Sequence, residues 1–245
     1  MDENEFAFLD RVHNTYTVDR SSQTKTMREL IFRTIKPYLD SGQRGIELGC
    51  SDGYMTSKIA AAIAELDVVD GSLKFIAEAT KRNLRNVKFI HSLFEDFSSK
   101  GEYDCAFASY ILEHVRDPVQ VLRRVHENLL PGGMLFVVVP NARALSRQLA
   151  RHMGLIKCLE ELTENDIGHG HRRVYDRSLL NEHLRSAGFK TISQGGIMLK
   201  ILADFQLDRL IDEGILSEKH IDALYWMGLE YPDLCGSLFS ICQKP

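Results

Sequence analysis

The stretch Gly133-Met-Leu-Phe-Val-Val-Val139 constrains the fold more than any other part of this chain. It is apolar without alternation, so a strand built from it needs both faces covered, as in a parallel sheet sandwiched between helices. The flanking segments agree. Short apolar runs at 44–49, 66–70, 87–91 and 103–109 alternate with helical spacing at 55–64, 72–81 and 119–130, the rhythm of βαβ units. Leu130-Pro-Gly-Gly133 reads as the stop between the last of these helices and the apolar strand.

Outside this core, Met27, Leu30, Ile31, Ile35 and Leu39 predict a helix over 24–39, within a helical cap covering 1–40. After Pro140 a helix is expected at 145–155, then a polar segment, 160–177, without a clear strand. A helix at 178–187, a sixth strand at 190–193, amphipathic helices at 202–214 and 218–229 and a last strand at 235–242 complete the pattern. The expectation is one domain over 1–245, with substrate-side insertions at 140–177 and 201–232.

Composition narrows the function classes. A net charge of −4 argues against a general polyanion-binding surface. The five cysteines are scattered, with no CxxC pair, so neither a disulfide framework nor a zinc ribbon is indicated. The start Met-Asp-Glu-Asn-Glu has no signal-peptide character, and no stretch approaches the ~20 apolar residues that span a bilayer. A soluble, cytoplasmic protein that binds neither membrane nor nucleic acid is expected.

The first strand leads into Glu47-Leu-Gly49-Cys-Ser51-Asp-Gly53, and Asp70 ends the second strand. In an open parallel sheet a nucleotide-type ligand sits at this first turn, beyond the carboxyl ends of the strands, where a carboxylate can accept ribose hydroxyls. A dinucleotide fingerprint would need glycine where Ser51 and Tyr54 stand, so a pyrophosphate lacks its bed. A cofactor with a ribose and an amino-acid tail but no phosphate, S-adenosylmethionine, fits better.

These residues, with Ser92-Leu-Phe-Glu95, Ser109-Tyr-Ile-Leu-Glu-His-Val-Arg-Asp-Pro118 and Leu130-Pro-Gly-Gly-Met-Leu135, resemble the class I S-adenosylmethionine-dependent methyltransferases over roughly residues 40 to 200. The resemblance implies an α/β, Rossmann-like seven-stranded sheet, mostly parallel with an antiparallel last strand, carrying N-terminal helices and helical insertions after strands five and six. It also implies that Glu47, Gly49, Ser51 and Gly53 flank the methionine moiety, that Asp70, with Gly71 and Ser72, holds the ribose, that Leu93, Phe94 and Glu95 border the adenine, and that Ser109 lies below the sulfonium. Ser92 departs from the aspartate of many members, which shifts adenine recognition toward Glu95 or backbone groups. Tyr16 and Arg20 are expected to close over the cofactor, Arg20 toward its carboxylate.

Methyl transfer to a hydroxyl needs a base, and His114, His169 and His171 are the candidates. Within 169–175 lie two histidines, two arginines and a tyrosine, which suit a base and an anion clamp; Arg172, Arg173 and Tyr175, with Tyr110, Met198 and Lys200, are the candidate acceptor contacts. No metal is expected, because two histidines one residue apart cannot face one ion from a strand and no third ligand is apparent. The reading is methyl transfer to oxygen, less readily nitrogen, of a small polar, anionic metabolite. The alternatives are RNA or protein methylation, and a module that binds the cofactor without turnover. The helices from 202 to 229 suit a lid or a homodimer contact.

Overall fold

The computed structural model describes residues 4–16, 21–99 and 101–245. Its strands are β1 (Arg44–Leu48), β2 (Glu65–Asp70), β3 (Val87–His91), β4 (Tyr103–Ser109), β5 (Leu129–Pro140), β6 (Lys190–Leu199) and β7 (Cys235–Gln243). They form one seven-stranded sheet in the order β3-β2-β1-β4-β5-β7-β6. The pairs from β3 to β5 are parallel, and β7 runs antiparallel to both β5 and β6. This is the Rossmann-like arrangement that the sequence implies.

The apolar run of β5 faces two ways, as its lack of alternation requires. Leu135, Val137 and Val139 pack with Val121, Leu122 and Val125 of α5 (Pro118–Asn128) and with Leu180 and Leu184 of α8 (Arg177–Ser186). Phe136 and Val138 enter the opposite layer, with Met27, Leu30, Ile31 and Ile35 of α2 (Ser22–Ile35), Ile59 of α3 (Tyr54–Ala60) and Tyr225 of α10 (Glu218–Glu230). Phe136 stacks on Phe107 of β4 at 5.2 Å.

The remaining helices are α1 (Glu5–Tyr16), α4 (Leu73–Thr80), α6 (Leu145–His152), α7 (Glu164–Gly168) and α9 (Asp204–Asp212). The helix expected over 24–39 ends at Ile35, because Pro37 lies in a 3₁₀ turn over Lys36–Tyr38. The Leu130-Pro-Gly-Gly133 stop lies inside β5. The register against β4 jumps from Tyr103↔Leu129 to Cys105↔Met134, so residues 130–133 bulge outward opposite Asp104.

A larger correction concerns β6, which runs on to Leu199 instead of ending near 193. A Cβ at Gly195 would stand 2.4 Å from Phe239, and one at Gly196 2.5 Å from Cys235 Sγ, so the glycines are where β6 draws close to β7 and not where it stops.

Phe136→Ala should cost about 3–5 kcal/mol, because it empties a fully buried site stacked on Phe107. Urea unfolding measures this; a loss below about 1 kcal/mol would contradict the packing described.

Candidate cofactor and acceptor site

The C-terminal ends of β1, β2 and β4 meet at the turn after β1. Its backbone enters the left-handed region at Gly49 (φ 75°), Ser51 (φ 47°) and Gly53 (φ 73°). Glycine is required at two of these points. A Cβ on Gly49 would lie 2.5 Å from Ile111, and one on Gly53 would meet the Ala79 backbone at 3.0 Å. The turn is pinned from β2: Asp70 Oδ2 accepts the Cys50 N–H at 2.9 Å, and Oδ1 accepts the Ser72 N–H at 2.8 Å. Burial pushes the Asp70 carboxyl up, and these donors offset part of the shift.

Glu47 lies beneath the turn. Its Oε2 is buried without a hydrogen-bond partner, and burial pushes its carboxyl to about 8, only partly offset by the Thr56 side chain. The expected adenine-side residues gather nearby. A Cβ on Gly71 would meet Leu93 at 3.2 Å, and one on Gly49 would have Phe94 at 3.9 Å. Glu95 is half-buried, its carboxyl raised by burial and by Glu5. Ser92 turns its hydroxyl onto the Leu93 carbonyl, 2.9 Å away. Ser109 ends β4. The side chains of Tyr16 and Arg20 lie outside the described residues.

Two contributors had no motif to announce them. Arg28, on α2, pairs with Asp52 of the β1 turn at 3.0 Å, and its charge is felt at Tyr110 beyond β4. Helix α1 lies over the edge beside them. Asp10 accepts from the Ser72 hydroxyl at 2.5 Å, and Leu9 fills the space a Gly71 side chain would need. A glycine cradle, an unpaired Glu47 oxygen and a nearby guanidinium fit a ligand with ribose, amine and carboxylate groups.

The acceptor-side candidates divide. Arg172 donates its backbone N–H to the Glu113 carbonyl at 2.8 Å, and His114 and His171 stand edge to face at 4.8 Å between ring centres. His171 Nδ1 is 3.2 Å from Asp166 Oδ1. Burial raises the Asp166 carboxyl, but His171, the Thr163 donors and Arg147 outweigh it and hold the group well below its ordinary value. Burial and the charge of His171 push His114 down to about 3, so it stays neutral and is a weak base. His169 is half-buried and its Nδ1 is 2.8 Å from the Asn165 carbonyl. A cavity of about 390 Å³ beside His171 is lined by Glu5, Phe8, Arg11, Arg116 and Arg172.

Four of the expected acceptor contacts are engaged in the fold instead. Arg173 donates to the carbonyls of Leu112 at 2.7 Å and Arg116 at 2.9 Å, satisfying a loop with no strand partner. Tyr175 is fully buried, its hydroxyl 3.1 Å from His183 Nδ1. Met198 is a core residue of β6, and the Lys200 ammonium pairs with Asp204. Tyr110 leaves β4 with φ 57° and shares a 2.7 Å hydrogen bond with Ser237, beside the cofactor edge.

The expectation of no metal rested on a missing third ligand. The fold brings Glu113 to His114 and His171, with one ligand atom of each lying within 4.8 Å of the others, so these three could hold a cation. Both Glu113 oxygens are buried without hydrogen-bond partners, and burial raises its carboxyl to about 8.

Together the sheet order, the glycine turn and the acid ending β2 define an S-adenosylmethionine-dependent methyltransferase. The chain belongs to the methyltransferase domain family, whose model matches residues 20–194. It is 26% identical to a ubiquinone biosynthesis O-methyltransferase of Marinobacter nauticus, over 88% of this chain and 94% of that protein. It is 28% identical to a trans-aconitate 2-methyltransferase of Deinococcus radiodurans, over 51% of this chain and 50% of that one. Among solved structures, the N-methyltransferase NodS from Bradyrhizobium japonicum WM9, in complex with S-adenosylhomocysteine, aligns over 99% of this chain and 100% of its own with a TM-score of 0.64 at 14% identity. Among the described residues, no helix is long and apolar enough to cross a membrane.

The buried acids set a pH dependence. Glu47 and Glu113 keep their protons in the native protein up to about 8, whereas the unfolded chain releases them near 4.5. The native state therefore binds more protons across this window, and stability falls as pH rises from 5 to 8. Glu113→Gln should flatten that slope and raise Tm at pH 8; an unaltered slope in both variant and parent would show that burial does not control this carboxyl.

Proposed function

We propose that the enzyme methylates an oxygen of a small, anionic metabolite, with His171 as the base. The observation that carries this reading is the His171–Asp166 pair, 3.2 Å apart, at a cavity that arginines also line. Asp166 stands 3.2 Å from Nδ1, outside hydrogen-bond alignment in this structure, and its charge stabilises the imidazolium, which leaves Nε2 to take the acceptor proton. S-adenosylmethionine supplies an electrophilic methyl group on a sulfonium. The chain's own task is to hold, align and dry the reactants, since charge disperses as the methyl moves.

In this reading Asp70 accepts from the ribose, using the lone pairs left by the Cys50 and Ser72 N–H groups. Gly49 admits the cofactor close to the backbone, Leu93 and Phe94 flank the adenine, and Arg28 takes the carboxylate role expected of Arg20. His114, neutral at working pH, packs edge to face against His171 and does not take the proton. The insertion at 140–177 supplies Ile167, Gly170, His171 and Arg172 to the cavity; none of the described lining comes from 201–232, and the cavity's volume of about 390 Å³ suits a metabolite, not a macromolecule.

Two substitutions separate the cofactor and acceptor halves. Asp70→Ala should weaken S-adenosylhomocysteine binding by at least ~10-fold in calorimetry, the loss of ~1.4 kcal/mol or more expected when a charged acceptor is removed. His171→Ala should leave that affinity within about twofold while lowering turnover ~100-fold or more in an acceptor panel read by S-adenosylhomocysteine release. Equal loss of binding and turnover in His171→Ala would remove it from the base role. An enzyme that binds the cofactor yet turns over no acceptor in a broad panel would favour the binding-module alternative.

A further inference from the structure

Glu5, near the start of α1, reaches across the cavity to two arginines from separate parts of the fold. Its Oε2 lies 2.7 Å from Arg116 Nε and its Oε1 2.8 Å from Arg172 Nη2. Each oxygen of one carboxylate thus meets a different guanidinium. Arg172 also lies over the Phe8 ring at 4.7 Å, which fixes its plane. The Glu5 carboxylate sits in the same cavity as His171.

Holding a half-exposed Arg116 and a largely buried Arg172 on one carboxylate costs side-chain freedom and desolvation that a surface ion pair repays poorly. Nothing in the sheet or its covering helices needs Glu5, because α1 is held independently. Asp10 bonds Ser72, Thr15 bonds the Gly168 carbonyl at 3.2 Å, and Val12 and Phe8 pack where Gly170 has no side chain. The arrangement is also mildly self-opposed, since Glu5 raises the neighbouring Glu95 carboxyl. A carboxylate is therefore held where the fold does not require one, beside the proposed base.

We propose that Arg116 and Arg172 are the subsite for a carboxylate on the acceptor, and that Glu5 is its resident stand-in. This rests on the methyl-transfer reading above and assigns the part of the acceptor that reading leaves open. An incoming carboxylate replaces Glu5 on the two guanidiniums and brings the rest of a small molecule into the cavity beside His171. Displacement frees the first turn of α1 from Arg116 and Arg172, so acceptor entry and loosening of α1 are one event. Arg172 hydrogen-bonds one oxygen and Arg116 ion-pairs with the other, so the two guanidiniums face two oxygens of one planar group, which favours a carboxylate over a tetrahedral phosphate. Arg173 takes no part, because its donors hold the 112–116 loop.

A tethered carboxylate competes at an effective concentration of roughly millimolar order, so removing it must raise apparent affinity for a free one. The experiment is calorimetric titration of malonate, and separately inorganic phosphate, into the full chain saturated with S-adenosylhomocysteine. Glu5→Gln should bind malonate at least ~10-fold more tightly than the parent and phosphate with less gain. Adding Arg116→Gln, at an exposed position, or Arg172→Lys to Glu5→Gln should return malonate to the parent's affinity or below. Equal malonate binding by parent and Glu5→Gln, or a Glu5→Gln gain that survives both arginine substitutions, would overturn the subsite. A larger gain for phosphate than for malonate would overturn the carboxylate assignment. Failure of the parent to bind S-adenosylhomocysteine would instead strike the cofactor reading, which keeps the two failures distinguishable.

Discussion

The site depends on one carboxylate, Asp70, bonded to two backbone N–H groups at once. By accepting from Cys50 and Ser72 it ties the turn after β1 to the start of α4. The turn has no strand partner of its own and passes through three left-handed residues, two of which are glycine because Ile111 and Ala79 stand too close for a side chain. Without a fixed acceptor such a backbone would be one of many loop conformers. With it, the close approach of the chain to a ligand is built before any ligand arrives. Burial raises the carboxyl of the same acid, and the Cys50 and Ser72 donors offset part of that shift.

Burial organises the rest of the edge by a different route. Glu47, at one carboxyl oxygen, and Glu113, at both, are buried with no donor. A stability-optimised core would replace them, as paired or apolar groups cost less in such places. Their position at the C-terminal ends of β1 and β4, on either side of the cofactor edge, is where Rossmann-like sheets gather function, and unsatisfied polar groups are tolerated where a ligand completes them.

How much of this was legible follows from the range of each interaction. The β5 run and the β1 turn were readable because strand burial and left-handed glycines leave local signatures. The end of β6 was misread because Gly195 and Gly196 have the composition of a stop, and only the approach of Phe239 and Cys235 from β7 shows that they continue a strand. That misreading carried Met198 and Lys200 toward the acceptor, whereas one is core and the other is paired with Asp204. The polar cluster at 169–175 was found by composition, but composition cannot say which arginine is spent on carbonyls. Arg173 and Arg172 are neighbours in the chain and opposite in role, one holding the 112–116 loop and the other meeting α1.

Helix α1 marks the limit of local reading. Its apolar residues Phe6, Leu9 and Val12 form too short a stripe to stand out, and each gains its meaning from a distant surface: His91 for Phe6, Gly71 for Leu9, Gly170 for Val12. The Glu5–Arg172 pair joins residues 167 apart. Arg116 was in view within the Glu-His-Val-Arg-Asp-Pro stretch, yet nothing nearby distinguishes it from a solvated arginine. Bridging both sides of the cleft, α1 touches the start of α4 and the 168–172 loop, so any movement that admits a ligand to one side changes its contacts with the other. In the proposed reading the cofactor side and the acceptor side are thereby linked through a single short helix, held at the sheet edge by the apolar contacts of Phe8, Leu9 and Val12 together with a few polar ones.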